Sequence, residues 1–174
     1  SLSLDPGVEA DARPRTYVVE ATVTGADDQT VTSTLRVDAV PAFVLGLSVP
    51  RFLERATSIP AEIVAIGPDG APVGDVALTV RLLQRQWHSV LQASDFTNGE
   101  VKYLTDVVDV PSGEEAVESR SGPVSVRLPI TGAGVYLVEV EARDRLGRVQ
   151  VVRVDLYAEG DGAVGWEKPR AGTF

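Results

Sequence analysis

Gly134-Val135-Tyr136-Leu137-Val138-Glu139-Val140-Glu141-Ala142-Arg143-Asp144-Arg145-Leu146-Gly147-Arg148-Val149-Gln150-Val151-Val152-Arg153-Val154-Asp155-Leu156 reads as two alternating strands around a turn. Tyr136, Val138, Val140 and Ala142 hold every second position before Asp144-Arg145-Leu146-Gly147. After it Val152, Val154 and Leu156 form one face, with Gln150, Arg153 and Asp155 among the exposed candidates. Neighbouring side chains on a strand point to opposite faces, so this period buries one face of a sheet and wets the other. Just upstream, Gly132-x-Gly134 has no helix after it and so is not a phosphate loop. It reads as a corner where the chain turns sharply into the strand bearing Tyr136.

The same alternation extends outward in both directions. Tyr17, Val19, Ala21 and Val23 alternate with Glu20, Thr22 and Thr24, while Val31, Leu35 and Val37 oppose Thr30, Thr32, Thr34 and Arg36. Gly25-Ala26-Asp27-Asp28-Gln29 between them is turn chemistry, which predicts a hairpin. Further strands are predicted at Phe43–Val49, Ile59–Ile66, Val76–Leu83, Val101–Val108 and Val124–Ile130, with a turn at Gly67-Pro68-Asp69-Gly70. Eleven prolines, mostly at the ends of these runs, argue against helices. Gly113–Glu118 is the one short helical candidate and is read as a loop.

The two outermost hairpins resemble each other. Tyr17-Val18-Val19-Glu20 and Arg36-Val37-Asp38 recur in the same order as Tyr136-Leu137-Val138-Glu139 and Arg153-Val154-Asp155. Tyr136 lies 119 positions after Tyr17, and Arg153 lies 117 after Arg36, a difference the hairpin turn could absorb. A period of this length is one domain. Residues 1–42 are therefore expected to be the C-terminal hairpin of a truncated sandwich, and 43–159 a complete sandwich. The Gly-rich residues 160–174 then form a linker to the next domain. About seven strands in the complete unit match the count of a constant-type immunoglobulin fold, with Tyr136 placed like its tyrosine corner. The expected fold class is all-β, an immunoglobulin-like antiparallel β-sandwich. Leu78, Val80, Tyr136, Val138, Val140, Val152, Val154 and Leu156 should face inward, with the N-terminal hairpin outside that sandwich.

Composition narrows the function. With 174 residues, 44% of them hydrophobic, the chain can build a core. A net charge of -9 argues against nucleic acid and against an anionic membrane surface. No apolar run nears the roughly 18 residues needed to span a bilayer, so no membrane insertion by these residues is expected. There is no cysteine, hence no disulfide, thiolate metal site or cysteine nucleophile. Ser1-Leu2-Ser3-Leu4 looks cut rather than natural, and any export signal is expected upstream.

Candidate chemistry is sparse. His88 is the single histidine, and its neighbour Ser89 must point to the opposite face of a strand, so the two cannot form a hydrolytic pair. His88 reads as a polar strand-end residue. Asp27, Asp28, Asp69, Asp144 and Asp161 sit singly in turns without the spacing of a calcium loop. Calcium held between domains by such carboxylates is the alternative. Glu114, Glu115 and Glu118 read as a solvated acidic loop. Trp87 reads as a core or inter-sheet anchor and Trp166 as packing at an inter-domain junction. The expectation is no catalytic, cofactor-binding or metal-binding residue, no cofactor, and no enzyme activity.

Three stretches together resemble the macroglobulin-like domains of bacterial α2-macroglobulins. They are Pro41–Leu47 with Val49-Pro50-Arg51, Val80–Ser89 continuing to Phe96, and Gly134-Val135-Tyr136 through Asp144–Arg148 with the exit Gly165-Trp166. The Arg85-x-Trp87 strand and the tryptophan exit narrow a pattern otherwise common in bacterial immunoglobulin-like domains. The resemblance implies a scaffold part of a periplasmic protease trap, in which a bait is cut, the molecule rearranges and a Cys-x-x-Gln thioester captures the attacker. Without cysteine, this chain carries no thioester, and no active-site residue transfers to it. A bait would lie downstream; Ser94–Gly99 and Pro111–Pro123 are the most exposed loop candidates. Implied partners are neighbouring macroglobulin-like domains and, for the full-length protein, target proteases. A membrane tether through the missing N-terminal part is compatible with this reading. The alternatives are a surface adhesin module, marked by many near-identical copies, and an accessory sandwich of a polysaccharide-active protein, marked by an attached catalytic domain.

Overall fold

The computed structural model describes the backbone at residues 13–92 and 102–159, and side chains at 13–88 and 105–159. Among them are ten strands and no helix: β1 Arg15–Thr24, β2 Thr30–Ala39, β3 Val44–Ser48, β4 Phe52–Leu53, β5 Ser58–Ile66, β6 Ala77–Gln92, β7 Lys102–Glu118, β8 Val124–Pro129, β9 Gly134–Arg143 and β10 Val149–Ala158. β1 and β2 form a sheet of their own, while β3-β5-β8 and β4-β10-β9-β6-β7 are the two layers of an antiparallel sandwich. The fold is all-β, as the alternation predicts.

The first strand of the sandwich is split between the layers. β3 pairs with β5; the chain then crosses at Val49–Arg51, and β4 runs parallel to the end of β10, Phe52 opposite Tyr157. Backbone bonds from Tyr157 N–H to the Arg51 carbonyl and from Glu159 N–H to that of Leu53 close this edge. If β3 and β4 count as one strand, the unit has seven. Their partition differs from the constant-type fold, which sets four strands against three with the fourth on the first sheet. Here β7 instead extends the larger sheet beside β6, because consecutive strands pair most readily.

The core is built by the inward positions of both layers. Ile59, Ala61 and Ile63 of β5 and Val126 and Leu128 of β8 meet Leu78, Val80 and Leu82 of β6 and Tyr136, Val138 and Val140 of β9. Six of the eight expected inward residues are buried; Val152 and Val154 are half-buried. Three strands cannot roof five, so β10 near the sheet edge is covered less fully.

Two regions depart from the sequence reading. Gly113–Glu118, read as a loop, continues β7, which pairs with β6 from Gln92↔Lys102 to Ala77↔Glu118. An extra residue, Ser112, bulges where Leu82 opposes Gly113 and Leu83 opposes Pro111, which lets proline sit within an edge strand. Both strands also outrun the sheet. β9 accompanies β6 only as far as Arg85↔Val135, so residues 86–92 and 102–108 continue as a two-stranded arm of about 20 Å.

Three hairpin turns share one geometry. In Gly25–Gln29, Gly67–Ala71 and Asp144–Arg148 the first N–H donates to the fifth carbonyl, at 2.8, 2.8 and 3.0 Å, and the fourth N–H to the first carbonyl. The fourth residue is left-handed in each: Asp28 (φ 60°), Gly70 (79°) and Gly147 (77°). This corrects one step of the repeat. The β1–β2 and β9–β10 turns are equally long, and Tyr17↔Val37 matches Tyr136↔Leu156 in register. The two-residue difference is therefore not absorbed in the turn. Arg36 lies opposite Val18, whereas Arg153 lies opposite Glu139, and Thr34 takes the place of Arg153.

Candidate functional site: the outer face of the five-stranded sheet

Leu78, Val80 and Leu82 of β6 and Tyr136, Val138, Val140 and Ala142 of β9 point into the core, which turns the odd-numbered residues between them outward. The registers align these into rows across four strands. One row reads Arg153 (β10), Glu139 (β9), Arg81 (β6), Glu114 (β7), with charge alternating at every step. Glu139, only 6% exposed, receives hydrogen bonds from Arg153 on one side and from Arg81 (3.0 Å) on the other. Arg81 also donates to Glu114 (3.0 Å) and Glu141 (2.9 Å), and Arg143 donates to Glu141 (3.1 Å). A carboxylate at the middle of a sheet is tolerable because each oxygen meets a guanidinium.

The next row is apolar: Leu137 opposite Leu83 opposite Pro111, with Asp155 at its β10 end. Asp155 pairs with Arg51 at 3.1 Å. Beyond it, Arg85 holds Asp109 with a bidentate pair at 2.9 and 3.1 Å. Val135 and Tyr157 continue this row, and Phe52 stacks on Tyr157 with ring centroids 5.6 Å apart. The hydrogen bond from Arg85 holds the Asp109 carboxyl below the usual range, and that from Arg81 does the same for Glu141. Both guanidinium groups are pushed up in return. These carboxylates are acceptors in ion pairs, which makes the face a neutral, cross-braced surface and a poor source of a free general base.

Structure takes most of the residues that sequence singled out. Tyr136 is buried, and its hydroxyl donates to the Gly132 carbonyl at 2.9 Å, the tyrosine-corner bond expected from Gly132-x-Gly134. A Cβ at Gly134 would stand 3.2 Å from Gln84 Nε2, so glycine admits that side chain at the corner. The turn aspartates serve their own loops. Asp27 and Asp69 accept from the N–H two residues on, while buried Asp144 accepts from Leu146 N, Arg148 N and Arg148 Nε. Burial works against the Asp144 carboxylate, but these donors hold its pKa below normal. Among the described residues no group of three His, Asp or Glu is placed to hold a metal.

His88 is exposed and lies opposite Asp106 within the arm, four residues short of the strand's end. Trp87 is half-buried on the outward side of that arm, opposite Val107, rather than in the core. The sequence reads it as a core or inter-sheet anchor, but β9 accompanies β6 only to Arg85, short of this position. Glu114, Glu115 and Glu118 lie on β7, with Glu114 paired to Arg81. Of the loop proposed at Pro111–Pro123, only Ser119–Pro123 lies outside a strand. Buried Ser119 pins it, donating to the Val73 carbonyl (2.7 Å) and accepting from Val76 N–H (3.0 Å). Ser94–Gly99, Asp161, Trp166 and the linker lie outside the described residues. The charge ladder escaped sequence reading. Its acids and bases are visible as outward positions, but which strand stands beside which is not.

No family model matches this sequence, and no curated protein matches it. Among solved structures it is similar to Salmonella α2-macroglobulin reacted with methylamine, at 18% identity over 84% of this chain and 10% of that one, TM-score 0.54. It is likewise similar to native E. coli α2-macroglobulin, at 16% identity over 83% of this chain and 10% of that one, TM-score 0.53. The shared feature is the fold of a part of those molecules. The chain spans about a tenth of their length.

Proposed function

We propose that the chain is a scaffold module of a bacterial α2-macroglobulin-like protease trap in the periplasm, with other macroglobulin-like domains as its neighbours. The carrying observation is the fold match along 84% of the chain to one stretch of Salmonella α2-macroglobulin. The site chemistry supports a mechanical role. The outer face spends its charges on bracing four strands together, and the turn carboxylates cap their own loops. Such a module transmits force and position between neighbours and leaves protease capture to other parts of the polypeptide.

The test uses the natural polypeptide that contains this sequence. An endoprotease is incubated with it, and cleavage of a large protein substrate is followed beside a fractionation of the source cells. The expected results are suppressed cleavage, a shift in the polypeptide's hydrodynamic radius after it is cut, and recovery in the periplasmic fraction. Unchanged cleavage with no shift in radius overturns the trap, and recovery in the cytoplasm overturns the compartment.

A further inference from the structure

The sheet β1–β2 carries a clean division of faces. Tyr17, Val19, Ala21 and Val23 stand opposite Val37, Leu35, Ser33 and Val31, while the other side carries Thr16, Glu20, Thr22, Thr32, Thr34 and Arg36, with Val18 its one large apolar residue. Val23, Val31 and Leu35 are 68%, 71% and 61% exposed, and Tyr17 and Val19 are half-buried. The molecule contains a second hairpin of the same build. β9 and β10 have ten residues each, as do β1 and β2, and the same five-residue turn with a left-handed fourth position. Each residue of β1–β2 corresponds in register to one 119 positions later. Tyr17 then coincides with Tyr136, Val19 with Val138, Leu35 with Val154 and Val37 with Leu156. That second hairpin shows what such a face packs against: the three-stranded sheet β3-β5-β8, through Ile59, Ile63, Val126 and Leu128.

We infer that the Tyr17/Val19/Leu35/Val37 face is the inner face of the last hairpin of another sandwich. Its occupant is a three-stranded antiparallel sheet with alternating apolar residues, supplied by polypeptide N-terminal to Ser1. The inference rests on the matching hairpin inside this molecule and stands whether or not the whole protein traps proteases. A register argument of this kind also specifies which residues are covered: the odd-numbered set is shielded, and the even-numbered set stays in water.

These 174 residues hold no cysteine, so an introduced thiol is the only one in the chain alone, and in the natural polypeptide its labelling is read on the peptide that carries it. Single thiols are introduced by Val19→Cys, Leu35→Cys and, as the polar-face control, Thr34→Cys. Their labelling rates are compared in the 174-residue chain and in the natural polypeptide. In the chain alone positions 34 and 35 should label fast, and half-buried position 19 within about tenfold of them. In the natural polypeptide positions 19 and 35 should slow by roughly 100-fold or more, while position 34 stays fast. Amide exchange of β1 and β2 in the unsubstituted proteins should slow in parallel, which guards against a substitution that disturbs folding. Equal labelling of positions 19 and 35 in both forms overturns the proposal. So does slow labelling in the chain alone, since the cover would then be this chain or a second copy of it.

Discussion

Tyr136 and Asp144 show how one polar side chain each secures a corner. The phenol is desolvated, which raises its pKa, and its hydroxyl still reaches the Gly132 carbonyl. Tyr136→Phe keeps the buried ring and loses that bond. The expected cost is about 1 kcal/mol in urea unfolding, because the Gly132 carbonyl, on an exposed residue, regains water. A raised folded-state pKa contributes stability below the unfolded value near 10 and loses it as pH rises, so wild type should also weaken above about pH 10 while the phenylalanine variant responds less. Asp144→Ala strips acceptors from two backbone N–H groups and from the Arg148 guanidinium at once, in a turn where the carboxylate is buried. A loss of about 2–3 kcal/mol is expected by calorimetry, against about 0.5 kcal/mol or less for Leu146→Ala two residues away, which is 62% exposed.

The strands β6, β7, β9 and β10 act through rows that no single strand contains. Asp109 and Glu141 have depressed pKa values, held there chiefly by Arg85 and Arg81. A depressed carboxyl contributes stability above its unfolded pKa near 4 and loses it as pH falls through the folded value. Acid should therefore loosen the outer face of the larger sheet while its apolar core persists. Asp109→Asn should cost about 0.5 kcal/mol at pH 7, a value discounted for partial exposure, and little at pH 3. Urea midpoints at the two pH values measure the difference, and a cost equal at both would refute the ion pair's role. Added salt should shrink the pH 7 effect, since exposed pairs are screened.

At the scale of the molecule, stability is concentrated where two sheets meet. Ile63 has no exposed surface in the centre of that contact, and Ile63→Ala should cost about 2–5 kcal/mol of sandwich stability through lost burial and a residual cavity. Val23→Ala, on the exposed face of β1–β2, should leave the unfolding midpoint of the sandwich unmoved, because that hairpin is a separate sheet. Thermal unfolding of the two variants separates these outcomes.

The two-residue period was enough, by itself, to establish an all-β fold, the inward positions Leu78 and Val80 on β6 and Tyr136, Val138 and Val140 on β9, and where three turns lie. Those properties are local: pleating sets side-chain direction, and glycine, aspartate and proline set turn geometry within five residues. Tyr136 was legible for the same reason, since its partner carbonyl is only four residues away. Tertiary structure alone decided the neighbours. Gly113–Glu118 looked like a loop because its acids break alternation, yet Arg81 across the strand pair neutralises Glu114, and that partner lies 33 positions away. Trp87 reads as a core or inter-sheet anchor, and only the limit of β9 at Arg85↔Val135 places it on an arm. The Arg-Val-Asp echo suggested a turn two residues longer, and only the paired registers show that the turns are equal. Sequence periodicity specifies which way a side chain points; what it meets there depends on strand order and register, which pairing of distant segments sets.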